Sequence, residues 1–198
     1  MPNVHTIFHS GFGHTKLQAE AVHRGAATVP GIVATLWAVD EATSRLDELD
    51  KTDAIIFGCP TYMGSLSAGM KQFIEVAAQK WFTMAWKDKI AGAFTNSSSF
   101  SGDKLNTLVA LVVNAMQHGM IYVGLGLMPA ANRPEDFQVE TGPSPQAINR
   151  VGSFIGPMSA SFRLDPGVAP VAGDLATAEA YGRRVAEITT IFVRGKQG

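Results

Sequence analysis

Short runs of β-branched and aliphatic residues alternate with helical patterns along this chain, and that alternation limits the choice of fold more than any other feature. Residues 54–59 form an uninterrupted apolar run that stops at Pro60, which is typical of a strand buried on both faces of a parallel sheet. Further strands are predicted at 4–9, 31–39, 90–94 and 120–126, and helices at 16–27, 42–49 (a short helix or turn), 67–78, 104–117 and 176–193. The pattern predicts an α/β fold: an open parallel sheet with helices on both faces and its ligand beyond the carboxyl ends of the strands.

Residues 129–173 do not share this alternation. The segment holds seven of the ten prolines of the 198-residue chain and has little periodicity. A long stretch without secondary structure is uncommon inside a compact domain and usually has a functional or interface role. We therefore expect a single domain over residues 1–198 with a long irregular loop at about 129–173.

The charge and cysteine content exclude several classes of protein. Sixteen basic and seventeen acidic residues give a net charge of −1, so the chain lacks the basic patch that nucleic acid or an anionic membrane requires. The single cysteine, Cys59, excludes an internal disulfide and a multi-cysteine metal site. No apolar run approaches the roughly 20 residues of a membrane span, and the first residues do not resemble a signal peptide. We expect a cytoplasmic protein without membrane insertion and without a bound metal.

The loop after the first predicted strand is suited to binding a phosphate monoester. It consists of Ser10, Gly11, Phe12, Gly13, His14 and Thr15, directly before a helix. Glycines let successive N–H groups converge, the helix N-terminus adds positive potential, and the hydroxyls of Ser10 and Thr15 add donors, so binding would depend on dipoles and needs no arginine. Lys16 stands where a dinucleotide-binding motif has its third glycine, which disfavours that class. An ordinary glycine-rich turn remains the alternative.

Two further polar loops follow the strands at 54–59 and 90–94. The second loop contains Pro60, Thr61, Tyr62, Met63 and Gly64, and the third contains Thr95, Asn96, Ser97, Ser98, Ser99, Phe100 and Ser101. The third loop has neither the carboxylates nor the imidazoles that a metal prefers. Neutral donors and acceptors beside an aromatic side chain suit a planar heterocycle with ring nitrogens and carbonyls. Three such loops at neighbouring strand ends predict one ligand site.

Together these loops resemble the three flavin mononucleotide (FMN) loops of flavodoxin-like proteins, and in particular the WrbA-type NAD(P)H:quinone oxidoreductases. Residues 10–15 resemble that family's Ser-x-Tyr-Gly-His loop, and 60–64 with 67–73 resemble its Pro-Thr-Arg-Phe-Gly loop and following helix. Trp81 falls where the family has a pocket tryptophan, and 118–120 match its His-Gly-Met. The resemblance differs at two places: Tyr62 replaces the family's arginine, and 156–159 are only loosely similar to its Gly-Thr-Pro-Tyr-Gly segment.

The resemblance implies a fold, a reaction and roles for residues. The fold is a flavodoxin-like three-layer sandwich with strand order 2-1-3-4-5. Residues 10–15 would hold the FMN phosphate, and the second and third loops the ring and ribityl chain. His118 would lie at the flavin and could give a quinone its proton, Trp81 would line the substrate cavity, and Phe12 could stack on the adenine of a nicotinamide coenzyme. A homotetramer or homodimer is expected, with active sites near subunit contacts.

Other interpretations of these residues and of the function stay open at this stage. His118 could instead simply end a helix, and Trp81 could be a packing residue. The function predicted is transfer of a hydride from NAD(P)H through FMN to a quinone in a two-electron ping-pong cycle. The alternatives are a flavodoxin-type electron carrier and an NAD(P)H-dependent FMN reductase.

Overall fold

The computed structural model describes residues 1–130 and 142–196. Its strands are β1 (Asn3–Phe8), β2 (Val33–Ala38), β3 (Ala54–Tyr62), β4 (Ser65–Leu66), β5 (Ile90–Ser97), β6 (Ile121–Tyr122) and β7 (Met158–Ala160). Its α-helices are α1 (His14–Ala27), α2 (Val39–Ser44), α3 (Ala68–Phe82), α4 (Lys104–Gln117) and α5 (Ala172–Gly195), and a 3-10 helix covers Leu46–Lys51. Among the described residues, no helix is both long and apolar enough to cross a bilayer.

The central sheet has the order β2-β1-β3-β5-β6, with all of these strands parallel. This is the predicted order 2-1-3-4-5 once β4, a two-residue strand antiparallel to the end of β3, is set aside. Apolar side chains fill both faces of the sheet: α1 and α5 pack on one face, and α2, α3, α4 and the 3-10 helix pack on the other. The three-layer α/β sandwich is therefore confirmed.

The fifth predicted strand, 120–126, is wrong in its extent. Only Ile121 and Tyr122 pair with β5 as a strand, and the chain then leaves that edge. Residues 154–157 take its place: Thr95 N–H donates to Pro157 O (3.0 Å) and Leu125 N–H to Phe154 O (2.9 Å). Gly156 permits this approach, because a Cβ there would lie 2.0 Å from the Ala93 carbonyl oxygen.

The strand β7 completes the edge of the sheet that β6 leaves. It lies inside the segment expected to be irregular and pairs in parallel with the carboxyl end of β5, from Thr95 to Ser97. Tyr181 of α5 is fully buried where the two edge segments diverge, and its hydroxyl donates to Val123 O (2.6 Å) and accepts from Ala93 N–H (3.1 Å). The long loop thus returns to the sheet beside the third polar loop.

Candidate coenzyme-binding site

A cavity of about 590 Å³ opens at the carboxyl ends of the parallel strands. This volume is in the range of cofactor pockets in proteins. Thirteen of the predicted cofactor-binding residues line it: Ser10, Phe12, His14, Thr15, Pro60, Thr61, Tyr62, Met63, Gly64, Asn96, Ser97, Ser98 and Ser99. The topology brings the three loops together because β1, β3 and β5 are neighbours in the sheet and all end at this edge.

The first loop turns around the hydroxyl of Ser10. Its Oγ accepts the N–H groups of Gly13 (3.1 Å) and Lys16 (3.2 Å), which ties the loop to the first turn of α1. Gly13 has φ 93°, a left-handed conformation that favours glycine. Of the first-turn amides of α1, that of Lys16 is taken by Ser10, whereas those of His14 and Thr15 have no acceptor in the described structure and are available to an anion at this end.

The first and second loops contact each other through Gly11 and Tyr62. A Cβ on Gly11 would lie 2.5 Å from Tyr62 Oη, so this position requires glycine while the tyrosine keeps its place. The rings of Phe12 and Tyr62 meet edge to face, with centroids 6.2 Å apart. Partial burial raises the pKa of Tyr62, which keeps its phenol neutral at physiological pH.

The second loop is a two-residue hairpin between β3 and β4. Met63 (φ 47°) and Gly64 (φ 77°) both have positive φ, as a type I′ turn requires. Asn106 Nδ2 donates to Gly64 O (2.7 Å) and fixes the turn to α4. The Met63 side chain is fully exposed at the rim of the cavity. A long apolar side chain is therefore held in a strained backbone conformation next to the site.

A chain of threonine hydroxyls lies beneath the cavity. Thr61 Oγ1 is 2.9 Å from Thr95 Oγ1 and 2.8 Å from Thr107 Oγ1, and Thr95 Oγ1 donates to Cys59 O (2.7 Å). Thr95 was predicted to bind the cofactor, but the structure buries it completely in this network and not in the cavity wall. Its hydroxyl links β3 to β5.

The third loop presents Asn96 and Ser97–Ser99 to the cavity. The Asn96 amide lies 2.8 Å from Ser159 Oγ of β7. Behind the turn, Lys104 Nζ donates to Ser97 Oγ (3.0 Å) and Ser99 O (2.5 Å). Phe100 and Ser101, also predicted to bind the cofactor, lie outside the cavity lining. Phe100 packs instead on Phe162, with ring centroids 5.1 Å apart.

Residues of the long loop form a fourth wall that was not predicted from the sequence. Ser161 and Phe162 donate their N–H groups to the carbonyls of Ser97 (2.9 Å) and Ser98 (2.8 Å), which extends the pairing of β7 with β5. His14 Nε2 hydrogen-bonds Leu164 O (2.6 Å). The lining residues not predicted are Gly102, Ser161, Arg163, Leu164, Asp165 and Pro166. Arg163 places one guanidinium at a site that was expected to use neutral dipoles alone.

Gly11 and Gly13 shape the first loop without lining the cavity. Gly11 makes room for Tyr62, and the position of a Cβ on Gly13 lies 3.0 Å from Cγ of Pro166 in the fourth wall. The two glycines allow close packing of the first loop against its neighbours on either side.

The structure does not bring His118 or Trp81 to this cavity. Each lies at the end of a helix that begins near the site and runs away from it, and the 15-residue α3 alone is about 20 Å long. His118 ends α4, buried against Trp86 with ring centroids 4.5 Å apart, and Trp81 is 41% exposed near the end of α3. Neither residue lines the cavity of its own chain, and the expectations that His118 lies at the flavin and that Trp81 lines the substrate cavity stay predictions. For His118, the alternative of a histidine that ends a helix describes its position.

The donors in the cavity fit a planar coenzyme with one phosphate. Hydroxyl, amide and backbone groups from three loops converge there, aromatic and thioether side chains stand at the rim, and Asp165 is the only carboxylate among the lining residues. Among the described residues, no group of three or more His, Cys, Asp or Glu side chains is arranged to hold a metal ion.

Comparison with known proteins gives the same assignment. The family model for NADPH-dependent FMN reductase matches residues 26–133. The chain is 39% identical to flavodoxin FldP of Pseudomonas aeruginosa over 92% of this chain and 94% of that one. It is 32% identical to the NAD(P)H dehydrogenase (quinone) of Geobacter sulfurreducens over 94% of this chain and 97% of that one. The crystal structure of a flavodoxin, WrbA-like protein from Agrobacterium tumefaciens superimposes with a TM-score of 0.72 and 38% identity, covering 96% of this chain and 99% of that one.

The fold and the site define a flavodoxin-like oxidoreductase whose coenzyme is FMN. Within that class, the chain belongs to the NADPH-dependent FMN reductase family and is of the WrbA type.

Proposed function

We propose that this protein transfers a hydride from NAD(P)H through FMN to a quinone, two electrons at a time. The observation that carries the proposal is the wide mouth of the cavity, where Phe12 is 75% exposed and Met63 is fully exposed. An accessible apolar rim gives a nicotinamide or a quinone a surface on which to stack. Relatives named NAD(P)H dehydrogenase (quinone), which match over nearly their whole length, support the same reaction.

The residues around the cavity position the coenzyme and do not themselves react. Bound FMN supplies hydride acceptance from a nicotinamide and two-electron transfer to a quinone. The first loop and the N-terminus of α1 would hold its phosphate, and the hydroxyls and backbone N–H groups of the second and third loops would bind its ring and ribityl chain. Because these dipoles are fixed by hydrogen bonds, they stabilise negative charge without reorganising. Phe12 is proposed to bind the nicotinamide coenzyme.

The first test is turnover by purified protein loaded with FMN. NADH or NADPH alone should bleach the flavin absorbance under anaerobic conditions, and a benzoquinone should restore it. Because both substrates would use the same space, double-reciprocal plots should give parallel lines. Intersecting lines would exclude a shared site.

A paired substitution tests the rim. Phe12→Ala should raise KM for NAD(P)H severalfold with little change in FMN affinity. Ile191→Ala is the matched control, because Ile191 is a similarly exposed apolar side chain on α5, away from the cavity. Equal effects of the two substitutions on KM would show that Phe12 does not contribute to NAD(P)H binding.

A flavodoxin-type electron carrier is the second candidate, and the relative FldP favours it. A carrier would stay oxidised with NAD(P)H alone and would accept electrons only through a reductase protein. The third candidate, an FMN reductase that releases reduced flavin, is supported by the family model. It would lose its flavin during gel filtration, whereas a quinone reductase would retain it.

A homotetramer or homodimer is part of the proposal. α4 exposes Leu105, Val109, Val113 and Met116, each at least 41% exposed and three or four residues from the next, so that they share one helix face. Because Trp81 is exposed but does not line the cavity of its own chain, a role for it at a flavin requires the cavity of another copy. Light scattering should give the mass of a dimer or tetramer, and Val109→Lys should dissociate it.

A further inference from the structure

Lys104 is a buried lysine directly behind the third loop. Its side chain is fully buried, and its ammonium donates to Ser97 Oγ and Ser99 O, both neutral acceptors. Ser97 and Ser99 in turn line the cavity, so only the thickness of this turn separates the charge from the coenzyme space. The cavity therefore has a fixed positive charge under one wall.

The position of this charge is costly by three criteria. A buried ammonium loses its hydration, and Lys104 is the first residue of α4, where the helix dipole disfavours a cation. No carboxylate within salt-bridge distance of Lys104 is found among the described residues. Asp174, the buried carboxylate nearby, already pairs with Arg150 at 2.8 Å.

The neighbouring charges do not neutralise Lys104. The pair of Arg150 and Asp174 has no net charge, although Asp174 favours the ammonium and Arg150 opposes it. Asp103 precedes Lys104 in the chain, but its carboxylate lies beside Gly64. Burial lowers the pKa of Lys104 to about 8, so it remains largely protonated at neutral pH.

We propose that Lys104 is a positioning residue that favours the reduced, anionic form of FMN over the oxidised form, through its buried charge and its hold on the Ser97–Ser99 turn. An uncompensated positive charge gains most from an anion that forms close by, and reduction places negative charge at N1 and the C2 carbonyl of the flavin. The inference rests on the proposed function only through bound FMN.

Three substitutions separate the charge from the hydrogen bonds. Lys104→Met removes both, Lys104→Gln keeps a donor without charge, and Lys104→Arg keeps the charge. Lys71→Met is the matched control, because Lys71 is an exposed lysine on α3. The readouts are the Kd values of oxidised and reduced FMN and the midpoint potential, which do not depend on turnover. Circular dichroism establishes that each variant folds.

Both Lys104→Met and Lys104→Gln should weaken the binding of reduced FMN about tenfold more than the binding of oxidised FMN. That ratio corresponds to a midpoint potential about 30 mV lower for a two-electron couple. Lys104→Arg and Lys71→Met should stay near wild type. The preference of the wild-type protein for reduced over oxidised FMN, relative to the uncharged variants, should be largest at pH 6–7. It should shrink as the pH rises beyond about 8, where Lys104 loses its proton.

Two results would show that Lys104 only supports the turn and would overturn the proposal. One is an equal loss of affinity for oxidised and reduced FMN, and the other is a shift of the midpoint potential in Lys104→Met but not in Lys104→Gln. If the uncharged variants do not fold, the wild-type potential measured across this pH range decides, since the proposal requires a change of slope near the pKa of Lys104. Failure of the proposed function would appear separately, as wild-type protein that binds FMN but is not reduced by NAD(P)H.

Discussion

The guanidinium of Arg150 and the carboxylate of Asp174 form a two-point ion pair inside the protein, with Nε–Oδ1 and Nη2–Oδ2 distances of 2.8 and 3.1 Å. Asp174 Oδ2 also accepts the N–H of Ala160 in β7 (3.0 Å). Arg150 lies over the ring of Phe100, 5.0 Å from its centroid. One buried pair thus joins the start of α5, β7 and the third loop, so the wall of the coenzyme site depends on it.

Arg150→Met should destabilise the protein by about 3–5 kcal/mol, because it leaves the Asp174 carboxylate buried without a partner. For a chain of this size the melting temperature should fall by about 6–20 °C, measured by thermal denaturation. Arg24→Met is the control, since Arg24 pairs with Glu179 at the surface and exposed pairs contribute little. A double variant that replaces Arg150 and Asp174 by apolar residues should recover much of the loss; a loss equal to the sum of the single changes would argue against a coupled pair.

Gly11→Ala should weaken FMN binding at least tenfold, because the new Cβ would lie 2.5 Å from Tyr62 Oη and displace that ring from the cavity wall. The same Cβ would be 3.4 Å from Tyr62 Cζ, an acceptable contact once the hydroxyl is gone. Tyr62→Phe combined with Gly11→Ala should therefore restore most of the affinity, measured by flavin fluorescence quenching. A double variant as weak as Gly11→Ala alone would mean that Tyr62 is not the cause.

Much of the fold and of the site was predictable from sequence. The open parallel sheet and three of the cavity walls follow from local signals, namely apolar runs that end in polar, glycine-containing loops, whereas the strand order followed from the family resemblance. The fourth wall could not be predicted, because β7 has only three residues and its place beside β5 depends on contacts distant in sequence, such as that of Gly156 with Ala93. Thr95 was misjudged because composition does not show which way a hydroxyl points. The family motif does not give a position along a helix, so it did not show that Trp81 and His118 lie at the ends of α3 and α4 that point away from the cavity.

Met63→Asn should stabilise the protein by about 1 kcal/mol, because a left-handed conformation costs an ordinary side chain about 1–2 kcal/mol and Asn-Gly is the favoured pair for a type I′ turn. The melting temperature should rise by about 2–4 °C. FMN affinity should fall at the same time, since the exposed thioether side chain at the cavity rim is lost. Gly64→Ala is the opposite control and should lower stability, because Gly64 has φ 77°. Unchanged stability in both variants would show that the hairpin stores no strain.

Stability should decrease as the pH falls below about 6.5, the ordinary pKa of histidine. Burial lowers the pKa values of His5, His23 and His118 in the folded protein. The unfolded chain therefore takes up protons at a higher pH than the folded one, and protonation favours unfolding until the pH falls below the folded-state pKa values.

The buried Nδ1 of His118 has no hydrogen-bond partner in the described structure, so a second proton there would be unpaired against Trp86. His118→Gln should flatten the pH dependence of the free energy of unfolding below about pH 6.5, measured by urea denaturation. His5→Gln and His23→Gln should each remove their own share of the slope. A slope identical to wild type in the His118 variant would mean that its imidazole is as easily protonated in the folded protein as in the unfolded chain.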